Sequence, residues 1–84
     1  MAVYKAEVKI RLKKGVADPE GQNTMKALAM LGFKGISAVS SIKTFQITLT
    51  AKNPAAAKAS VDEMCTRLLA NPVIHTYTIQ IQKA

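Results

Sequence analysis

Residues 3 to 12 alternate without a break, with Tyr4, Ala6, Val8, Ile10 and Leu12 on one side and Lys5, Glu7, Lys9 and Arg11 on the other. Such alternation predicts a strand with one buried face and one wet face. Lys13, Lys14 and Gly15 end it, and Asp18-Pro19 then offers a side-chain acceptor for a helix start, followed by a proline whose fixed φ suits the first helical position. A helix is expected from there to Leu31: Met25, Leu28, Ala29 and Leu31 fall in one arc, Met30 lies outside it, and Gly32-Phe33 supplies a left-handed stop backed by an apolar residue.

Residues 36 to 50 are β-branched and alternating, with Ile36 and Ala38, then Phe45, Ile47 and Leu49 between Thr44, Gln46, Thr48 and Thr50. They read as two strands joined near Ser40-Ser41, or as one long bent strand, because Ser-Ser lacks the chemistry of a tight hairpin. Asn53-Pro54 repeats the helix start, and Ala57, Val61, Met64, Cys65 and Leu68 form an apolar stripe running to about Leu69, closed by Asn71-Pro72. The last strand, residues 73 to 82, alternates Val73, His75, Tyr77, Ile79 and Ile81 with Ile74, Thr76, Thr78, Gln80 and Gln82. The order predicts an α+β, ferredoxin-like βαββαβ fold, an antiparallel sheet covered on one face by two helices. Its last strand would lie at an edge, with no charge or internal proline from Val73 to Gln82 to block pairing with a second copy.

At 84 residues the chain reads as one domain, residues 1–84. About 63% of the unfolded surface would be buried at this size, a small core that favours a binding or structural subunit over an enclosed catalytic pocket. Lys and Arg number 12 against 5 Asp and Glu, and the excess is concentrated at Lys5, Lys9, Arg11, Lys13 and Lys14. An anionic partner would fit there, although a solvated charged face is the commoner reason for such a pattern. A single cysteine, no apolar leader and no long apolar run suggest a reducing, cytoplasmic setting without a membrane anchor.

Catalytic and metal-binding patterns are missing. Cys65 falls on the core stripe of the second helix and His75 in the apolar register of the last strand, so neither is placed as a nucleophile or base. One His, one Cys and the adjacent Asp62-Glu63 do not make a ligand set, and no glycine-rich loop is present to hold phosphate. Nucleic acid is the main rival partner, since a ferredoxin-like sheet with a basic strand is an RNA-binding architecture. That module stacks bases on aromatics of its open face, whereas here Phe45 and Tyr77 sit in the core register, which disfavours nucleic acid. A small-molecule regulatory domain is the third reading.

Read together, the pieces resemble the PurS family, the small subunit of phosphoribosylformylglycinamidine synthase. The resemblance spans nearly the whole chain: Val8-Lys9-Ile10-Arg11-Leu12-Lys13-Lys14-Gly15-Val16, Asp18-Pro19-Glu20-Gly21, Ala27-Leu28 with Leu31-Gly32-Phe33, Met64-Cys65, and above all Arg67-Leu68-Leu69-Ala70-Asn71-Pro72-Val73-Ile74 followed by Tyr77. It departs at Ser41-Ile42-Lys43, where family members often carry a glycine before the lysine. The resemblance implies a non-catalytic subunit of an ATP-dependent ligase. That enzyme converts formylglycinamide ribonucleotide, glutamine and ATP to formylglycinamidine ribonucleotide, glutamate, ADP and phosphate. The small subunit would bridge a glutaminase and a synthetase and help ammonia pass between them. It would bind no cofactor itself, ATP and Mg belonging to the synthetase, and would form a homodimer or a dimer of dimers.

Candidate contacts with a partner or a second copy are Lys9, Arg11 and Lys13 of the basic segment and Met30 beside the apolar arc. Arg67, Asn71, Ile74 and His75 of the longest matching run join them, with Thr76, Thr78 and Gln80 of the edge strand.

Overall fold

The computed structural model describes residues 1–84. The alternating first segment forms β1 (Ala2–Leu12), the middle strand of a three-stranded antiparallel sheet. On one side it pairs with β2 (Lys43–Ala51), and on the other with β3 (His75–Lys83). The alternation of β1 gives the sheet one buried face and one open face. Tyr4, Ala6, Val8 and Ile10 supply that face, flanked in register by Phe45, Ile47 and Leu49 of β2 and by Tyr77, Ile79 and Ile81 of β3.

α1 (Pro19–Met30) and α2 (Pro54–Met64) start by the same local device. Asp18 Oδ1 accepts from the Gly21 N–H at 3.0 Å, Asn53 Oδ1 accepts from the Ala56 N–H at 2.7 Å, and a proline holds the first helical position in each. α1 stops as its sequence predicts: Gly32 adopts φ +94°, the Phe33 N–H donates to Leu28 O at 3.2 Å and the Gly32 N–H to Ala29 O at 3.1 Å. This paired arrangement satisfies the last carbonyls of the helix.

α2 lies on the inner face of the sheet. Ala57, Val61 and Cys65, four residues apart, are fully buried against Ala6, Val8 and Ile10 or, for Ala57, against Tyr4 and Ala51. Burying a side chain the size of Val61 stabilises by about 1.5–3 kcal/mol. The stripe does not continue as an α-helical period would have it. Residues Cys65–Leu69 form a π-helical turn, closed by the Ala70 N–H donating to Cys65 O at 2.9 Å. The wider turn carries one extra residue, so Leu69 and Ala70 come under the sheet while Leu68, expected in the core, points to solvent at 84% exposure.

Two further expectations are corrected locally within the ferredoxin-like class. Residues 36 to 42 form no strand, and the sheet has three strands rather than four. The reason is a carboxylate: Asp18 accepts from the Ser41 N–H at 2.7 Å and from the Ser41 hydroxyl at 2.8 Å, taking a backbone donor that a ladder with β2 would need. Val39 O meanwhile sits where a side chain on Gly21 would be, 2.5 Å from an ideal Cβ, so the returning chain is clamped to the start of α1.

Second, α1 does not cover the sheet. It makes no extensive contact with any strand or with α2, and apart from Gly21 every buried residue belongs to the sheet, to α2 or to the turn after it. Residues 13 to 42 therefore form an arm beyond the end of β1. An 11-residue strand of about 36 Å and a 12-residue helix of about 18 Å laid nearly end to end account for the long dimension. The molecule measures 52 × 27 × 15 Å, with a radius of gyration of 16.5 Å, where a compact chain of this length would have about 12 Å.

Candidate docking surfaces

The open face of the sheet is built by the alternation of β1. Lys5, Glu7, Lys9 and Arg11 form a central charged row, and the register sets polar rows beside it: Thr48, Gln46 and Thr44 of β2, and Gln82, Gln80, Thr78 and Thr76 of β3. Lys9 Nζ lies 3.6 Å from Glu7 Oε1, leaving Lys5 and Arg11 without a carboxylate partner. Glu7, Lys9, Arg11, Thr78 and Gln80 line a shallow depression of about 250 Å³. Five of the sequence candidates, Lys9, Arg11, Thr76, Thr78 and Gln80, are thus one continuous patch. It carries cations and neutral hydrogen-bonding groups and no aromatic side chain.

A second group gathers at the end of the sheet from which the arm departs. The Lys13 N–H donates to Ile74 O at 2.8 Å, extending the ladder past β1. Asn71 organises the turn before β3: its side chain accepts from the Val73 N–H at 3.0 Å, and its carbonyl accepts from the N–H groups of Ile74 at 3.1 Å and His75 at 2.7 Å. The Asn71 N–H in turn donates to His75 Nδ1 at 2.9 Å. That bond occupies one ring nitrogen and leaves the proton on the other, so His75 is the lock of a turn.

Arg67 and Met30 join neither group. Arg67 is exposed and pairs with Glu63 at 3.0 Å one helical turn away, an interaction that contributes little to stability at such exposure. Met30 is on the arm.

Three groups are chemically distinctive. Tyr77 donates its hydroxyl to Asp62 Oδ1 at 2.6 Å, tying β3 to α2, and this bond, ahead of desolvation, pushes its pKa up to about 12. Burial, then the nearby Asp62 charge, raises the Cys65 thiol above its ordinary value, the opposite of what an activated nucleophile needs. Asp18 is held below the usual carboxylate range, first by the Ser41 N–H, then by the Gly21 N–H and the Ser41 hydroxyl. Asp18 reads from sequence as a helix cap only; its second role depends on a residue 23 positions away, which no local pattern announces. No three His, Cys, Asp or Glu side chains come together as a metal site, and no helix is long and apolar enough to cross a membrane.

Sheet order, helix placement and these surfaces define a small ferredoxin-like α+β protein whose distinctive feature is an outward-facing charged and polar patch. Residues 5–83 match the family model PurS, phosphoribosylformylglycinamidine (FGAM) synthase. The chain is 53% identical to the phosphoribosylformylglycinamidine synthase subunit PurS of Archaeoglobus fulgidus, over 88% of this chain and 92% of the relative. It is also similar to the crystal structure of Methanocaldococcus jannaschii PurS, with 47% identity, a TM-score of 0.87, and coverage of 96% of this chain and 98% of the other. Bacillus subtilis PurS shares the fold at a TM-score of 0.83 and 31% identity, over 95% and 99% of the two chains. A chain in the structure of PurLQS from Thermotoga maritima shares it at 0.84 and 24% identity, covering 98% and 100%. The chain belongs to the PurS family, subunits of phosphoribosylformylglycinamidine synthase, a ligase of purine biosynthesis.

Proposed function

We propose that this chain acts in the cytoplasm as the non-catalytic bridging subunit of phosphoribosylformylglycinamidine synthase, a single domain over residues 1–84. It holds the glutaminase and the ATP-dependent synthetase together and assists the passage of ammonia between them. The observation that carries this reading is that the one cysteine and the one histidine are both committed to structure. Cys65 is fully buried with its thiol shifted away from ionisation, and His75 spends Nδ1 on the Asn71 turn. What the chain offers a partner is surface.

ATP and Mg²⁺ belong to the synthetase in this scheme, and ammonia must be kept from water on its way there, which requires docked subunits rather than encounters in solution. The patch of Lys9, Arg11, Thr76, Thr78 and Gln80 suits an acidic partner face, with Lys13, Asn71, Ile74 and His75 at its margin and Arg67 and Met30 as outlying contacts. The naming of PurLQS in Thermotoga maritima supports the assignment to a three-part assembly. Self-association is supported by β3, whose outer edge from His75 to Lys83 is unpaired, with only Lys83 charged at its end. Two such edges joined about a twofold axis would extend the sheet into a homodimer, or into a dimer of dimers.

Reconstitution tests this directly. Glutamine-dependent turnover of the mixed subunits should collapse when this chain is left out, while turnover with free ammonium salt persists. Cys65→Ala should support the parent rate, and Lys9→Glu with Arg11→Glu should lower glutamine-dependent turnover with the circular dichroism spectrum unchanged. Glutamine hydrolysis by the isolated chain, or loss of turnover in folded Cys65→Ala, would refute the proposal. So would tight RNA binding at near-physiological salt that weakens steeply as salt rises.

A further inference from the structure

Where the arm meets the sheet, two adjoining hollows of about 320 and 300 Å³ share Leu12, Ser41 and Ile42 and form one cleft. Each alone stands at the lower limit of the about 300–1,000 Å³ of ordinary ligand sites, and together they fall well within it. The two halves differ in chemistry. Arg11, Lys13 and Lys14 line one, and the chain's two ion pairs, Lys9 with Glu7 and Arg67 with Glu63, leave all three of these cations without a carboxylate. Asp18 is the one acid on this half. Its oxygens already accept from the Gly21 N–H, the Ser41 N–H and the Ser41 hydroxyl, so its charge is shared among three donors. The N–H groups of Lys14 and Gly15, in the turn closed by Val16 N–H to Lys13 O at 3.1 Å, donate to no group of the chain.

The other half is apolar with a polar rim. Ile10, Leu12, Ile42 and Leu69 line it beside Glu20, whose carboxylate is in no ion pair. His75 accepts from the Asn71 N–H through Nδ1 and so presents Nε2–H as a donor. Lys43, the remaining charge here, lies over the Phe45 ring at 5.7 Å from its centre.

We propose that this cleft binds a nucleoside monophosphate whose base carries an exocyclic amine. The phosphate sits among Arg11, Lys13 and Lys14, where a doubly charged anion with three acceptor oxygens meets three unpaired cations and free backbone donors. The base lies against the apolar wall, its amine donating to Glu20 and a ring nitrogen accepting from His75 Nε2. A lipid phosphate fits less well, because its hydrocarbon chain would cover Glu20 and His75 and give them nothing to bond. Contacts come from β1, the start of α1, the return before β2 and the turn before β3, so an occupied cleft ties the arm to the sheet. The site goes beyond the bridging role and is a property of this chain alone, so failure of either reading leaves the other standing.

Calorimetric titration of the full chain at near-physiological salt tests it with AMP, IMP, adenosine and inorganic phosphate. AMP should bind about tenfold tighter than each of the other three. Lys14→Glu and Ile42→Glu, at exposed positions outside the core, should each weaken AMP about tenfold with the circular dichroism spectrum unchanged. Lys58→Glu makes the same charge change as Lys14→Glu on an exposed position of α2 and should leave AMP binding at the parent level. In nitrogen-15 spectra of the parent, AMP should move the amide signals of Lys14, Gly15, Ile42 and His75 and leave that of Lys58 in place. Absence of AMP binding at millimolar concentration would overturn the proposal. So would phosphate, adenosine or IMP binding as tightly as AMP, an equal loss in Lys58→Glu, or amide shifts centred on the open face of the sheet.

Discussion

α1 and α2 start with the same Asx-Pro device and carry apolar stripes of similar length, yet α2 lies on the sheet and α1 leaves it. The difference comes from the exit segment of each helix. After α2, the π-turn swings Leu69 and Ala70 under the strands, and the Asn71 turn feeds straight into β3, so the chain has no slack. After α1, the return from Phe33 to Ser41 is tied by its far end to Asp18 and Gly21, at the start of the helix it has just left. The arm closes on itself before it can close on the sheet. A shared start signal therefore fixes where a helix begins but not what it covers; docking is decided by where the returning backbone spends its hydrogen bonds.

The largest contrast should appear in core truncation. Val61→Ala is expected to cost about 2–3 kcal/mol in denaturant unfolding, and Leu28→Ala, on a half-buried arm position, under about 1 kcal/mol when both are measured at dilutions where the chain is monomeric. Equal losses would mean that α1 shares the core. Next, Gly21→Ala should free the arm while sparing the sheet. Its Cβ would meet Val39 O at 2.5 Å and Asp18 Oδ2 at 2.7 Å, so amide protection in α1 and residues 36–42 should fall while β1 and α2 stay protected.

Acid should act on the same clamp. Asp18 has a folded pKa depressed below its ordinary 3.8, so its contribution is present above the unfolded value and is lost as pH falls through the folded one. Amide exchange at Ser41 should therefore be slow near neutrality and accelerate below about pH 4, relative to the same amide's intrinsic rate. Asp18→Asn should remove that pH dependence. The smallest effect belongs to the α2 side. Tyr77, with its pKa raised to about 12, stays neutral and bonded through pH 10. The contribution of the bond is complete below the unfolded tyrosine pKa and disappears as pH rises through the folded value. Ultraviolet titration should show Asp62→Ala moving Tyr77 back toward an ordinary tyrosine, with little change in unfolding midpoint.

Local chemistry is legible in the chain and non-local chemistry is not. The alternation of β1 is enough to place Lys9 and Arg11 on an open face and Val8 and Ile10 inside, and that of the last strand puts Thr78 and Gln80 beside them. Both helix starts and the Gly32 stop read directly, because each depends on residues within one turn. The absence of a strand at 36–42 does not read, since its β-branched residues look like a strand and the competing acceptor, Asp18, lies 23 positions away. Leu68 misleads for a subtler reason: α and π periods differ by a single residue at the end of a stripe, and only the closing bond from Ala70 to Cys65 tells them apart. His75 sits in an apolar register, but its ring is claimed by Asn71, four residues earlier. Periodicity identifies the apolar side of α1 and is silent on whether the sheet covers it.

The pairing of the chain ends bears on how the protein is made. Tyr4 stands opposite Lys83 in the sheet, and the Ala84 N–H donates to Val3 O at 3.0 Å, so the first strand synthesised is completed by the last. β1 must wait, with Tyr4, Ala6, Val8 and Ile10 uncovered, until β3 has been made. The arm, whose clamping bonds all lie within residues 18 to 41, can form much earlier. The clamp of the arm is thus complete in sequence well before the partner strand that closes the sheet. Because the two ends meet side by side, joining them with a short linker and opening the chain at residues 34–35, in the exposed loop after α1, should give a permuted protein whose sheet can close as a single hairpin-linked unit.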